Sequence, residues 1–158
     1  MQHEIRQFLQ QKTDGVGHSG RSFLEHLEGT HDLLAGAGAA PYVCLAGLFH
    51  SVYGTNVFRH EAVPMTDRDQ VIALIGAEAE HLAHVFCSCQ RPRALVEAAE
   101  RGPPYQVVNW RDGKPIALSP RDLADLLDIE AANLEEQNGL AYLPRVQAAR
   151  QRIEMVEA

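Results

Sequence analysis

Apolar and polar positions recur with helical spacing along most of the chain. The clearest stretch begins at Ser22, which forms a capping box with Glu25 three residues later. Beyond this start, one helical face collects the apolar and half-polar side chains Phe23, His26, Leu27, Thr30 and Leu34. The pattern therefore predicts a helix from Ser22 to about residues 36–38, where glycines end it.

The same combination of periodicity, caps and breakers predicts the remaining elements. Further helices are expected over residues 2–12, 41–53, 66–86 (capped by Thr66 and Asp69, with a break near Gly76), 91–102, 119–138 and 143–158. Residues 105–118 carry β-type residues on either side of Asp112-Gly113, which predicts a small hairpin. We expect an all-α bundle with this one hairpin, built as a single domain over residues 1–158.

Composition and charge narrow the classes of partner. The net charge of −7 argues against a nucleic-acid backbone or an anionic membrane surface as the main partner. The chain has no apolar run that would cross a membrane, and its first residues lack the apolar core of a signal peptide. Three cysteines without zinc-ribbon spacing do not indicate a disulfide framework. We expect a cytoplasmic protein whose partner is a small-molecule ligand.

Two histidines on consecutive predicted helices form the first candidate site. His26 lies on the apolar face of its helix, and His50 lies at the end of the nearly all-apolar helix that follows. A short loop between antiparallel helices can bring both imidazoles to one point, where a metal ion would be a shared partner. Spacing alone favours the simpler alternative of two core histidines, each bonded to a backbone carbonyl.

Two other arrangements compete with this pair. The segment "HLAHVFCSC" contains His81, His84, Cys87 and Cys89, which on paper resemble a zinc site. No second ligand pair follows at zinc-finger distance, so a solvated helix edge with small buried cysteines is the favoured interpretation. His18 and Arg21 precede the first histidine helix and indicate either a pocket mouth or an exposed loop.

Four further segments occur in order over about residues 17–130: "SGRSFLEHL" (19–27), "LAGLFHSVYGT" (45–55), "DRDQVIALIGAEAEHLAHVFCSC" (67–89) and "DLADLLDI" (122–129). Together they resemble the motifs of the HD-domain superfamily. The closest pattern is that of the RelA/SpoT-type guanosine tetraphosphate hydrolase domains. The chain looks like a divergent branch in which the His-Asp pair of the superfamily is written His-Ser.

The resemblance implies a metal site and its ligands. Transferred position by position, it makes His26 and His50 ligands of a divalent transition metal (Mn, Fe or Zn). It also makes Asp125 the distal carboxylate ligand, with Asp128 as the alternative. The fold implied is the helical bundle of the HD superfamily.

Departures from the family pattern change the expected chemistry. Ser51 replaces the bridging aspartate, and Gly54 and Thr55 stand where the hydrolases have the Glu-Asp pair that handles the attacking water. A serine hydroxyl is a poor ligand for a hard cation, and threonine is no general base near neutral pH. Guanosine tetraphosphate hydrolysis is therefore not expected. A His-His-Asp set matches either a non-haem iron triad or a zinc or manganese site that keeps a water.

Polar residues near the histidines are the candidates for binding and catalysis. We select His18, Arg21, Tyr53 and His60 for this role; Thr55 and Arg59 lie beside them, and ordinary surface polarity is the alternative for the loop. The expected protein is a metal-dependent enzyme, hydrolytic or oxidative, acting on a small anionic or phosphorylated metabolite. The alternative is a degenerate binding module without metal. The apolar third helix and the amphipathic last helix are compatible with a homodimer and equally with a monomer.

Overall fold

The fold is all-α, as the periodicity predicted. The computed structural model describes residues 2–18 and 20–158. Eight helices lie in these residues: α1 His3–Thr13, α2 Phe23–Gly36, α3 Pro41–Leu48, α4 Arg68–Ile75, α5 Ala77–Ser88, α6 Arg93–Arg101, α7 Pro120–Glu136 and α8 Leu143–Glu157. Two antiparallel pairs accompany them: β1 Gly17–His18 with β2 Arg21–Ser22, and β3 Tyr105–Val108 with β4 Pro115–Leu118. The predicted hairpin over residues 105–118 is thus confirmed.

Side-chain caps start the two helices that carry most of the site. The Ser22 hydroxyl accepts from the Glu25 N–H at 3.1 Å, and the Ser22 N–H donates back to the Glu25 carboxylate at 3.2 Å. Ser119 and Asp122 form the same reciprocal pair at the start of α7. Each box satisfies N–H groups that have no partner inside the helix. The capping box predicted at Ser22 is confirmed.

The stretch 66–86 shows the predicted break but not the predicted cap. It forms two helices because Gly76 adopts φ +88°, which interrupts the helix at the expected position. A 3₁₀ turn, Met65–Asp67, precedes α4, and no described side chain caps that helix. The prediction that Thr66 and Asp69 cap it was therefore wrong.

The third helix is shorter than its apolar pattern indicated. It ends at Leu48, because Phe49 leaves the helical region at φ −110° and ψ 8°. Turns follow up to Tyr53. This early end places His50 outside the regular helix, where its ring can reach back to the last helical carbonyls.

The core is one hydrophobic cluster that extends from Ile5 in α1 to Ile153 in α8. At its centre α2 packs against both α3 and α7, and α7 packs on its other side against α8. Gly47 permits close approach of α3 to α2, since a Cβ at that position would collide with the Leu34 side chain. Among the described helices, none is both long enough and apolar enough to cross a membrane.

Candidate functional site

Helices α2 and α7 and the turn after α3 bring four polar side chains into the core. His26 is 1% exposed and His50 is fully buried. Their Nε2 atoms lie 3.1 Å apart, and the Nε2 of His50 is 3.1 Å from the Asn133 Oδ1. Glu136, one turn beyond Asn133, contacts the other ring nitrogen of His26. The structure thus brings together His26 and His50, the two histidines of the first candidate site.

Hydrogen bonds on the outer side of each ring determine which nitrogen carries the proton. The Nδ1 of His50 lies 2.6 Å from the Gly47 carbonyl oxygen, and the Nδ1 of His26 contacts the Glu136 carboxylate. A carbonyl and a carboxylate can only accept, so each Nδ1 must carry a hydrogen. In the neutral rings both Nε2 atoms are then unprotonated.

The orientation of Asn133 is determined by a buried ion pair. Glu130 accepts from the Asn133 amide nitrogen at 3.1 Å and is held by Arg91 through two bonds of 2.6 and 2.5 Å. Since a carboxylate accepts only, the NH₂ group of Asn133 must face Glu130 and its oxygen must face His50. Three lone pairs, one from each of His26, His50 and Asn133, therefore converge without a hydrogen between them.

Burial keeps the histidine pair neutral. It lowers the pKa of His26 to about 2, with the charge of the neighbouring His50 as the next cause, and the hydrogen bond with Asn133 opposes that shift. Burial also lowers the pKa of His50 to about 4. Neither ring takes a second proton near neutral pH, so a proton does not relieve the converging lone pairs. Two imidazole nitrogens and an amide oxygen are instead a donor set suited to a metal cation.

Glu136 was missing from the expected site residues. Its side chain is 4% exposed, pairs with the Arg21 guanidinium and reaches His26 by crossing over Gly29. A Cβ on residue 29 would lie 2.8 Å from the Glu136 Cγ and 2.9 Å from its Oε1, so only glycine leaves room for this path. A glycine one helical turn after His26 was the one sequence signal of such a close approach.

The predicted carboxylate ligands lie elsewhere on α7. Asp125 accepts a hydrogen bond from the Tyr42 hydroxyl, and Asp128 pairs with Arg150 at 3.0 Å. Asp125 precedes Asn133 by about two helical turns, which is about 12 Å along the axis of α7. A side chain that far from Asn133 cannot reach the histidine pair. Across the part of the chain that the structure describes, no three His, Cys, Asp or Glu side chains converge as metal ligands. The third donor beside the histidines is the Asn133 amide.

Two of the four predicted catalytic candidates lie at the site. The His18 ring stacks on the His26 ring with centroids 4.0 Å apart and planes 13° apart, and Phe58 packs edge-on against it. Burial and the charge of Arg21 lower the pKa of His18. Arg21 is about half exposed (46%) and reaches inward to Glu136. These residues cover the histidine pair on the side of β1 and β2.

The other two candidates, Tyr53 and His60, have different neighbours. Tyr53 is fully buried, and its hydroxyl donates to Glu80 at 2.9 Å, an acid that also pairs with Arg68. Burial and this carboxylate raise the pKa of Tyr53. His60 is exposed, and its ring lies 6.0 Å from that of Phe58 between centroids. The contacts described for these two side chains are with Glu80 and Phe58 rather than with the histidine pair.

The alternative cysteine-containing group does not assemble. The Cys87 thiol donates to the His50 carbonyl at 3.1 Å, and Cys89 is fully buried. His81 is 44% exposed and lies 3.4 Å from Asp122. These contacts agree with the interpretation as a helix edge with small buried cysteines.

Similarity to known proteins identifies a family. A family model described as "Domain of unknown function (DUF6817)" matches residues 8–91, just over half of the 158-residue chain. The chain belongs to the DUF6817 family. The DUF6817 match includes His26 and His50 but ends before α7, so Asn133 and Glu136 lie beyond it. No curated protein and no solved structure matches the chain significantly.

Proposed function

We propose that this DUF6817 protein is a divergent HD-fold metalloprotein that binds one divalent transition metal at His26, His50 and Asn133. The single observation that carries the proposal is the convergence of three lone pairs in a buried place, with Nε2–Nε2 and Nε2–Oδ1 distances of 3.1 Å. Without a cation these like partial charges face one another in a medium of low dielectric, which is unfavourable. The two HD-type motifs that contain His26 and His50 support the same assignment.

The proposed activity is that of a cytoplasmic enzyme acting on a small anionic metabolite. A metal held here supplies Lewis-acid activation of a water or, as iron, oxygen chemistry. His26 and His50 hold the ion through neutral nitrogens, and Asn133 adds a neutral oxygen. In a chain of net charge −7, the half-exposed Arg21 provides the nearby positive charge that an anionic substrate would need. Tyr53 and His60 have no part in this proposal.

A second candidate is a binding module without turnover. It is favoured by one observation: the positions that are acidic in the HD hydrolases are neutral here, with Ser51 after His50 and Asn133 as the third group at the site. The histidine pair is also fully covered by neighbouring side chains. In this case the protein would keep the fold and lack the metal.

Metal content separates the two candidates. Protein purified without a tag should carry close to one equivalent of a transition metal, and a chelator should lower its melting temperature until Mn, Fe or Zn is added back. His50→Ala should abolish both effects. The matched control is His60→Ala, which removes an exposed histidine and should change neither.

The metal-free outcome favours the binding module. Less than about 0.2 equivalents of any transition metal, with no thermal shift on adding metal, would exclude the metalloenzyme, since such ligand sets bind tightly. Circular dichroism on each variant establishes that the helices are intact. A His50→Ala protein that is folded and still loaded with metal would also contradict the assignment.

A further inference from the structure

We infer that this site selects borderline transition metals, zinc among them, over hard cations such as Mg²⁺ and Mn²⁺, and that Glu136 is the positioning residue that sets its affinity. The inference rests on the proposed function. It goes beyond that function in assigning a class of metal and in giving a role to a residue outside the donor set.

The donor set is the first basis for this selectivity. His26 and His50 offer imidazole nitrogens, and Asn133 offers an amide oxygen. The two Nε2 atoms are 3.1 Å apart, and the Asn133 Oδ1 is 3.1 Å from the Nε2 of His50. All three are neutral, and no carboxylate stands among them. Mg²⁺ and Mn²⁺ favour carboxylate and water oxygens, whereas imidazole suits zinc, copper, iron and nickel. A set rich in imidazole and free of carboxylate therefore favours the borderline ions.

The negative charge that would compensate a bound metal ion comes from carboxylates that contact the proposed ligands. Of the two buried carboxylates near the donors, Glu130 is bound through both oxygens by Arg91 at 2.6 and 2.5 Å. Glu136 instead directs one oxygen to the Nδ1 of His26. Glu136 also has an arginine partner, because its other oxygen contacts Arg21, but that guanidinium is about half exposed to solvent. The negative charge of Glu136 thus acts on the site through the ring of a ligand, whereas both oxygens of Glu130 are bound by the buried Arg91.

The contact between Glu136 and His26 fixes the geometry of the ligand. A metal-binding histidine commonly donates its second N–H to a carboxylate, which fixes the ring tautomer and raises the basicity of the ligating nitrogen. Here the carboxylate is 4% exposed and crosses Gly29, with room for no other side chain at that point. Glu136 touches neither the metal position nor a substrate, so its role is to position and polarise His26.

Affinities for two ions measured on four proteins test the inference. Zn²⁺ and Mn²⁺ dissociation constants are determined by competition with a chromophoric chelator on the wild-type chain, Glu136→Gln, Glu135→Gln and Asn133→Asp. Glu136→Gln keeps the size of the side chain and removes its charge. Glu135→Gln removes the same charge from an exposed neighbour on the same helix and is the matched control. Asn133→Asp adds an anionic oxygen to the donor set.

The expected results differ for each variant. The wild type should bind Zn²⁺ at least about 100-fold more tightly than Mn²⁺, in line with the general affinity order of divalent ions. Glu136→Gln should weaken Zn²⁺ binding about 10- to 100-fold, the usual effect of losing such an outer carboxylate, while Glu135→Gln should bind as the wild type does. Asn133→Asp should narrow the Zn²⁺/Mn²⁺ ratio by about 10-fold, because a carboxylate oxygen suits the harder ion.

Each contrary outcome overturns a stated part. Equal affinities for Zn²⁺ and Mn²⁺ in the wild type would overturn the selectivity. Zn²⁺ binding by Glu136→Gln equal to that of Glu135→Gln would overturn the role of Glu136. A purely structural role predicts a lower melting temperature of the metal-free protein with an unchanged Zn²⁺ dissociation constant, and that pattern would count against the inference too. A wild type that binds neither ion refutes the proposed function itself.

Discussion

Replacing Gly29 by alanine tests whether the buried Glu136 contact contributes to stability. In most helices this change stabilises the fold by up to about 1 kcal/mol, because alanine is the better helix former. Here the added Cβ would lie 2.8 Å from the Glu136 Cγ and 2.9 Å from its Oε1, so the carboxylate must move off His26. A hydrogen bond to a charged group contributes about 1.5–3 kcal/mol. We therefore expect Gly29→Ala to lower the free energy of unfolding by about 1–2 kcal/mol.

The same helix offers a matched control. Gly36 is the last residue of α2, and a Cβ there would meet no atom within 4 Å. Gly36→Ala should therefore be neutral or stabilising by up to about 1 kcal/mol. Urea unfolding of both variants, followed by far-ultraviolet circular dichroism, measures the difference in the free energy of unfolding, which we expect to be about 1–3 kcal/mol. The slopes of the two transitions should agree.

A double-mutant cycle identifies the cause. In a Glu136→Ala background the colliding side chain is gone, so Gly29→Ala should recover the gain in helix propensity and become neutral or stabilising. If Gly29→Ala alone is as stable as Gly36→Ala, the close approach of Glu136 to α2 does not hold the site as described. If its effect is the same in both backgrounds, the loss does not come from Glu136.

Two further predictions concern buried polar groups. Tyr53→Phe removes a hydroxyl that donates to Glu80 at 2.9 Å and should cost about 1.5–3 kcal/mol in urea unfolding, whereas Tyr105→Phe, whose buried hydroxyl has no partner among the described residues, should be neutral or stabilising. An equal loss in both would contradict the hydrogen-bond explanation. His50 has a pKa near 4 in the fold against 6.5 ordinarily, so the unfolded chain binds protons more readily and stability falls as pH drops from about 6.5 to 4. The loss from this residue should be about 3 kcal/mol in metal-free protein. His50→Gln should remove that part of the pH dependence and leave the part due to His26, whose pKa is also lowered; identical pH profiles for the wild type and His50→Gln would refute the prediction.

Local signals in the sequence were sufficient for most of the helices. The Ser22–Glu25 box and the face that His26 shares with Leu27 depend on residues within a turn or two of each other, which is why α2 was predicted nearly to the residue. The end of α3 was not, because an apolar run has no breaker between Leu48 and Gly54. The short β1 and β2 strands, two residues each, carry no periodic signal at all.

The pairing of His26 with His50 was within reach of the sequence because both lie on neighbouring elements joined by a short loop. The third donor was not. Along α7, a shift of one turn moves a side chain by about 5.4 Å, so the point where α7 crosses α2 decides which residue meets the histidines. The resemblance to the HD pattern indicated Asp125, and the crossing instead presents Asn133 and Glu136.

The sequence alone determined an all-α chain with an inward histidine on each of two successive helical segments, because caps and periodicity are properties of neighbouring residues. Only the tertiary structure decided the character of the site. Helix packing places a neutral amide where a carboxylate was expected, and a glycine on α2 admits the Glu136 carboxylate to the outer side of His26. The contact between His50 and Asn133 joins residues 83 positions apart, and that between His26 and Glu136 joins residues 110 positions apart. No local sequence pattern encodes contacts at such separations.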